Sequence, residues 1–318
     1  MSTTAAAKPA VKSVRPLDAI GIFGGVICCL LWGGNAVATR FAIPDLPPIG
    51  CAALRFLIAI PLVAAIARGL RRPLAIPRAH WRLLSLNAAL AAIQIGTFNW
   101  GTGHSEAGRS SVFINIHPLV VAPLAWLLLG EQLGARGVLG LLSAAGGVGV
   151  LLAEPLLRGG GLSGDVVVLV SGFIFATQTI VQKKTFPYIP PVTLLFWQTV
   201  LAVPLCLVAS AVLEGFGHYA WSSRAIGGVL YQGIATSGIC FAIWLVLLDR
   251  YPAGKLATIV FLTPIFGVGL GCLMRGEALT RALMVGGGLV GLGIYLTNSE
   301  RATEPGATLP ELPGEDAP

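Results

Sequence analysis

Hydrophobic residues run along the chain in ten blocks, at about 18–40, 48–68, 81–101, 107–129, 136–153, 164–184, 191–213, 225–248, 254–274 and 281–298, with short polar connections between them. A helix needs roughly 20 apolar residues to cross a bilayer, so each block is read as one span of an all-α integral membrane protein. Polar residues that interrupt the blocks keep helical spacing: Trp32 with Asn35; Asn87 and Gln94 with Phe98; Ser111 with Asn115; Ser171, Gln178 and Gln182; Gln232 with Thr236. Lipid offers such groups no hydrogen bond, so these stripes are expected to face inward, either holding helices together or walling a cavity.

The pattern also repeats. PLVVAPLAWLLLGEQL, from Pro118 to Leu133, returns 146 positions later as PIFGVGLGCLMRGEAL, from Pro264 to Leu279. Upstream to Ala107 and Ala253 the two copies align over 27 positions without a gap, and 8 of these are identical. Earlier in each copy, Pro44, Pro47, Pro48, Ala59, Pro61 and Leu62 meet Pro187, Pro190, Pro191, Ala202, Pro204 and Leu205 at an offset of 143. Each copy is thus five spans long. An odd number sends the second copy into the membrane from the other side, predicting ten transmembrane helices as two inverted five-helix repeats, residues 18–153 and 164–298. A tail of residues 1–17 precedes them, and a polar tail of 299–318, too poor in apolar residues to pack, follows.

Composition agrees: 55% of the 318 residues are hydrophobic and 11% are charged, against about 25% charged in a soluble domain. The net charge of +7 sits in connections rather than on a soluble stripe, which points away from nucleic acid and toward membrane lipid. With the N-terminus inside, 14 Lys and Arg fall in cytoplasmic segments and 6 outside, so both termini are expected to be cytoplasmic. Ala36-Val37-Ala38 mimics a signal-peptidase site, but the apolar block continues through it as a full span and is expected to be retained.

Enzyme motifs dissolve on inspection. Gly286, Gly288 and Gly291 spell GxGxxG inside an apolar helix with no preceding strand, a setting in which glycines serve close helix contact. Gly103-His104-Ser105-Glu106-Ala107 resembles a nucleophile turn, but Ala ends it and the segment is a short connection. Cys28, Cys29, Cys51, Cys206, Cys240 and Cys272 all lie in apolar blocks without a CxxC pair, as packing residues. No metal ligand set and no cofactor are expected, and the chain is not expected to be an enzyme.

Candidate transport residues remain. Arg55 is the clear charge inside a span; with no acidic neighbour in sequence, it snorkels outward, makes a helix-cap contact or clamps an anionic group such as a carboxylate. His117, beside Asn115, either bonds a neighbour or touches substrate. Pro118 and Pro264 interrupt their spans as hinges or as passive kinks. Gly130-Glu131 and Gly276-Glu277 close helices, each Glu offering its carboxylate to the first amides of the next helix or acting as a gate. No span carries Asp or Glu near its centre, which argues against a carboxylate-driven proton antiporter.

Leu31-Trp32-Gly33-Gly34-Asn35, Ala53-Leu54-Arg55-Phe56 and the segment from Pro118 to Glu131 with its copy from Pro264 to Glu277 resemble the EamA-type permeases of the drug/metabolite transporter superfamily. The resemblance implies a bacterial inner-membrane exporter of small metabolites such as amino acids, with a cavity between the halves, and does not name the substrate. Trp32, Asn35, Arg55, Gln94, Asn115, His117 and Gln178 are the expected substrate contacts, and Pro118, Pro264, Glu131 and Glu277 the expected hinges or gates. Multidrug efflux is the alternative cargo class, and a non-transporting scaffold or intramembrane enzyme the alternative of another kind. A monomer or a homodimer would serve either transport reading.

Overall fold

Asp18 opens the first helix by accepting a hydrogen bond from the Gly21 amide at 2.9 Å, and from there nearly every described residue is helical or in a tight turn. The computed structural model describes residues 15–105, 107–131, 134–157, 162–215, 219–275 and 281–299. The expected tails outside these bounds, and Glu277, lie outside the described residues. The helices are α1 (Ala19–Ala42), α2 (Pro48–Gly69), α3 (Trp81–Gly103), α4 (Ala107–Phe113), α5 (His117–Leu129), α6 (Ala135–Leu157), α7 (Leu162–Thr185), α8 (Pro191–Leu213), α9 (Ser223–Leu230), α10 (Phe241–Arg250), α11 (Ala253–Val260), α12 (Thr263–Arg275) and α13 (Arg281–Ser299). A π-helical stretch, Tyr231–Cys240, joins α9 to α10, and a 3-10 turn, Ile114–Ile116, joins α4 to α5.

Among the described residues, five uninterrupted stretches are long and apolar enough to cross a membrane: Ala19–Ala42, Pro48–Gly69, Ser163–Thr185, Pro191–Leu213 and Ser223–Arg250. The surface pattern is that of a protein in lipid. Leu57, Ile93, Trp126, Leu127, Leu139, Val208 and Val212 are exposed, whereas Asn35, Asn87, Gln94, Ser111, Asn115, Ser171, Gln178, Gln182, Gln232 and Thr236 are buried. The polar stripes thus turn inward, and the interior satisfies many of them: Asn87 Nδ2 donates to Thr185 Oγ1 at 3.0 Å, Gln94 Nε2 to Ser171 Oγ at 3.1 Å and Gln182 Nε2 to Gln198 Oε1 at 3.3 Å.

Helix bounds recur at the offsets of the sequence repeat. Ala19–Ala42 and Leu162–Thr185 start and stop 143 positions apart, and His117–Leu129 and Thr263–Arg275 do so at 146. Pro118 and Pro264 correct the expectation of mid-span interruptions: they occupy the first turns of α5 and α12, after the breaks. There a missing amide costs no helical bond, and proline fits. Pro61, Pro123 and Pro204, by contrast, lie in the interior of their helices.

Close packing of α6 on α13 depends on small residues. Ser143 Oγ donates to the Leu289 carbonyl at 2.9 Å, and a Cβ placed on Gly293 would lie 2.5 Å from the Gly140 carbonyl oxygen and 2.9 Å from the Ala144 Cβ and amide nitrogen. Backbone cannot yield as a flexible side chain does, so Gly293→Ala is expected to push these helices apart and lower the thermal midpoint of the purified protein by several degrees, as overpacking costs about 1–3 kcal/mol. An unchanged midpoint would contradict this close approach.

Candidate functional site

Both interrupted helix pairs break at the same place in the interior, and a cavity opens there. It contains about 470 Å³ of space not filled by atoms, including its mouth. The α1 helix contributes Trp32 and Asn35, α2 contributes Arg55, and α3 contributes Gln94, Ile95 and Phe98. Ile114 and Asn115 come from the turn between α4 and α5, and Val260 and Thr263 flank the break between α11 and α12. Phe175 of α7, Thr236 of the π-helical stretch and Phe241 of α10 complete the wall. A π-helical turn shifts the register of the residues it carries, a device frequent at functional sites; here it directs Gln232, Thr236 and Ser237 toward α2 and the cavity.

Arg55 is fully buried. Its Nε donates to Ser237 Oγ at 2.7 Å and its Nη1 meets Gln232 Oε1 at 3.5 Å, while Nη2 has no hydrogen-bond partner. No carboxylate among the described residues pairs with it. The snorkelling alternative is thereby removed, because the guanidinium is held inward by the π-helical stretch. Around the same cavity Asn35 Oδ1, Asn115 Oδ1, Thr236 Oγ1 and Thr263 Oγ1 are buried and unpartnered. The wall therefore offers one cationic donor, several neutral polar groups and an aromatic floor, with no acid among its members. That floor is Trp32, edge-on to Phe175 and Phe241 at 5.6 Å each and to Trp244 at 5.1 Å.

Of the seven expected contact residues, the structure brings Trp32, Asn35, Arg55, Gln94 and Asn115 together at the cavity and leaves His117 and Gln178 off its wall. His117 stacks on the far side of this lining, its ring 4.1 Å from Phe175 and its Nε2 3.0 Å from Thr179 Oγ1. Gln178 is buried with Oε1 unpartnered. Sequence reasoning passed over Phe175 and Thr263, although a signal for both was present: they stand at the repeat positions of Trp32 and His117.

Polar networks tie the two ends of the bundle. At one end, Gly130 adopts φ 68° and ends α5, and Glu131 accepts hydrogen bonds from the amides of Ala253 at 2.8 Å and Gly254 at 3.0 Å. The expectation that Glu131 caps the next helix is thus corrected. It caps α11, because α5 packs against α11 and brings that helix's free amides beside the left-handed turn. Lys183 Nζ pairs with Glu131 Oε1 at 3.0 Å and also donates to the Tyr251 carbonyl. Tyr251 in turn donates its hydroxyl to Asp18 Oδ1 at 2.6 Å, which with the Gly21 amide holds the Asp18 carboxyl below the usual carboxylate range. At the opposite end Glu214, after α8, accepts from the amides of Ile49 at 2.8 Å and Gly50 at 3.1 Å, at the start of α2. Arg40 Nη1 donates there to the Gly103 carbonyl at 3.1 Å.

The description "EamA-like transporter family" matches residues 19–153 and again residues 162–299. The chain belongs to the EamA-like transporter family. A relative from Salmonella typhimurium named "Probable amino-acid metabolite efflux pump" is 26% identical over 86% of this chain and 93% of its own length. The uncharacterized transporter YoaV of Bacillus subtilis is 24% identical over 86% of this chain and 95% of its own. A solved crystal structure, 19% identical, superposes with a TM-score of 0.74 over 87% of the transporter and 95% of that chain, so the two share a fold.

Proposed function

We propose that this transporter exports small metabolites, amino acids and related zwitterions foremost, across the bacterial plasma membrane by alternating access of two inverted five-helix repeats. The observation that carries the cargo class is the unpartnered Nη2 of Arg55 in a cavity that also offers the unpartnered Asn35 Oδ1 and Asn115 Oδ1. A carboxylate suits the guanidinium, and an ammonium group suits the amide oxygens without needing a buried acid. The printed name of the Salmonella relative, an amino-acid metabolite efflux pump, favours the same class.

Inversion of the copies is supported by which ends meet. Glu214, at the end of α8, binds the start of α2, its repeat-equivalent, and Glu131, after α5, binds the start of α11, which begins the equivalent of the α4–α5 pair. Ser143 bonds Leu289, the residue 146 positions on, and Trp32 touches Phe175, 143 on. Equivalent residues meeting each other is what a two-fold axis between the copies requires. With both termini cytoplasmic, the Glu131 end faces the cytoplasm, the Glu214 end faces outward, and Glu131 acts as an inner gate.

The test begins with an overexpressing strain screened for resistance to amino-acid analogues and drugs, followed by flux of each hit in proteoliposomes. Protein-dependent flux of at least one carboxylate-bearing zwitterion is expected. No flux for any member of a broad amino-acid and metabolite panel would end the proposal.

A further inference from the structure

The repeat offsets pair each cavity residue with an equivalent, and the pairs divide into two kinds. Trp32 with Phe175, Ile95 with Phe241, and Ile114 with Val260 are pairs in which both members line the cavity. In the other kind one member lines it: Gln94, Asn115 and Thr236 against the apolar Cys240, Phe261 and Leu90, and Asn35, Arg55, Phe98 and Thr263 against Gln178, Gln198, Trp244 and His117. These four are instead buried on the side of the cavity toward the Glu131 end: Gln178, Gln198 and Trp244 lie seven, seven and six positions from the ends of their helices there.

Aromatic contacts follow the same division. Trp32 packs against Trp244 at 5.1 Å, and Phe175 stacks on His117 at 4.1 Å. Exchanging every residue for its equivalent turns these contacts into Phe175 with Phe98 and Trp32 with Thr263, and all four of those side chains stand on the cavity wall. The structure is therefore asymmetric about the repeat axis, open on one side of the Trp32–Phe175 pair and packed on the other. The packed side is not satisfied as a core would be. Gln178 Oε1, Trp244 Nε1 and His117 Nδ1 are all buried without a hydrogen-bond partner, although a buried polar group left so costs about 1–3 kcal/mol.

We propose that Gln178, Gln198, His117 and Trp244 form the inner half of the substrate site, packed shut in this structure and exposed to the cytoplasm when the repeats exchange conformations. This rests on the inverted-repeat reading above and adds the residues that meet cargo on the cytoplasmic side. The two half-sites differ in chemistry. Gln198 replaces the charge of Arg55, and His117 and Trp244 place ring nitrogens where Thr263 and Phe98 stand, so the inner half offers a zwitterion neutral hydrogen bonds and no fixed charge.

The test is thiol labelling in right-side-out and inside-out membrane vesicles with a membrane-impermeant methanethiosulfonate reagent, against the wild-type background from the native cysteines. Asn35→Cys should react from the outside. Gln178→Cys should react about tenfold faster from the cytoplasmic side than from outside, and Glu131→Gln should raise that rate by shifting the population inward. Gln182→Cys, one turn further toward the cytoplasmic end, serves as a second reporter should Gln178→Cys fail to insert. If Asn35→Cys reacts from outside and the wild-type protein transports while the Gln178 and Gln182 variants stay silent from the cytoplasm, the inner half-site is refuted and the transport reading survives. Gln178→Cys reacting faster from outside than from the cytoplasmic side would overturn both.

Discussion

Arg55→Lys is expected to abolish most carrier-mediated flux of carboxylate-bearing cargo while the protein still inserts and folds. The guanidinium is fixed through Nε to Ser237 and through Nη1 to Gln232, leaving Nη2 for a ligand. A lysine ammonium cannot hold both anchors and present a donor at the same point. Losing one charge-assisted hydrogen bond removes about 1.5–3 kcal/mol, so apparent affinity should fall about ten- to hundredfold. Arg55→Ala should be at least as severe. The measurement that separates binding from packing compares a transported amino acid with its methyl ester: loss of uptake for the acid alone fits a carboxylate clamp, and equal loss for both fits a scaffold. Wild-type uptake of the acid in both variants would remove Arg55 from the site.

Glu131→Ala is expected to cost the most stability. Its carboxylate neutralises Lys183 and caps two amides of α11, and the two side chains are only 11% and 15% exposed in the order Lys183, Glu131. Removing one partner of a buried pair typically costs about 3–5 kcal/mol because the remaining charge is stranded; residual exposure here places the effect toward the lower figure. The thermal midpoint should drop accordingly. Glu131→Gln should lose less, since its amide oxygen can still accept from one α11 amide. Adding Lys183→Met to Glu131→Ala should recover part of the loss, because the stranded charge is gone. Strict additivity of the two substitutions would mean that the ion pair contributes nothing.

Much of this protein was legible as sequence because lipid enforces simple rules. Apolar blocks had to be helices, and the spacing of Asn87 with Gln94 or Ser171 with Gln178 marked an inward face that the structure buries. Arg55 stood out because a charge in a span needs a reason. Other features depended on contacts between segments far apart. Nothing local in Gly130-Glu131 says that the carboxylate reaches α11 rather than α6, a choice made by the packing of α5. The breaks before Pro118 and Pro264 moved these prolines from mid-helix to first-turn positions, since proline tolerates a helix start better than its interior. His117 read as a polar residue of the cavity wall, yet it lies behind Phe175. Periodicity reports which face is inward, and it does not report which inward residues lie on the open side of an asymmetric pair of repeats.

The most direct test of alternating access is a pair of distances measured in one preparation by electron–electron resonance between spin labels. One pair, at Arg72 and Tyr188, reports on the Glu131 end, and the other, at His104 and Trp221, on the Glu214 end; all four residues are exposed. On adding a cargo identified by flux, or on introducing Glu131→Gln, the two distances should change in opposite senses, one end closing as the other opens. Distances that stay fixed in a preparation that transports, or that lengthen and shorten together, would contradict the exchange of the two repeats around the Trp32–Phe175 pair.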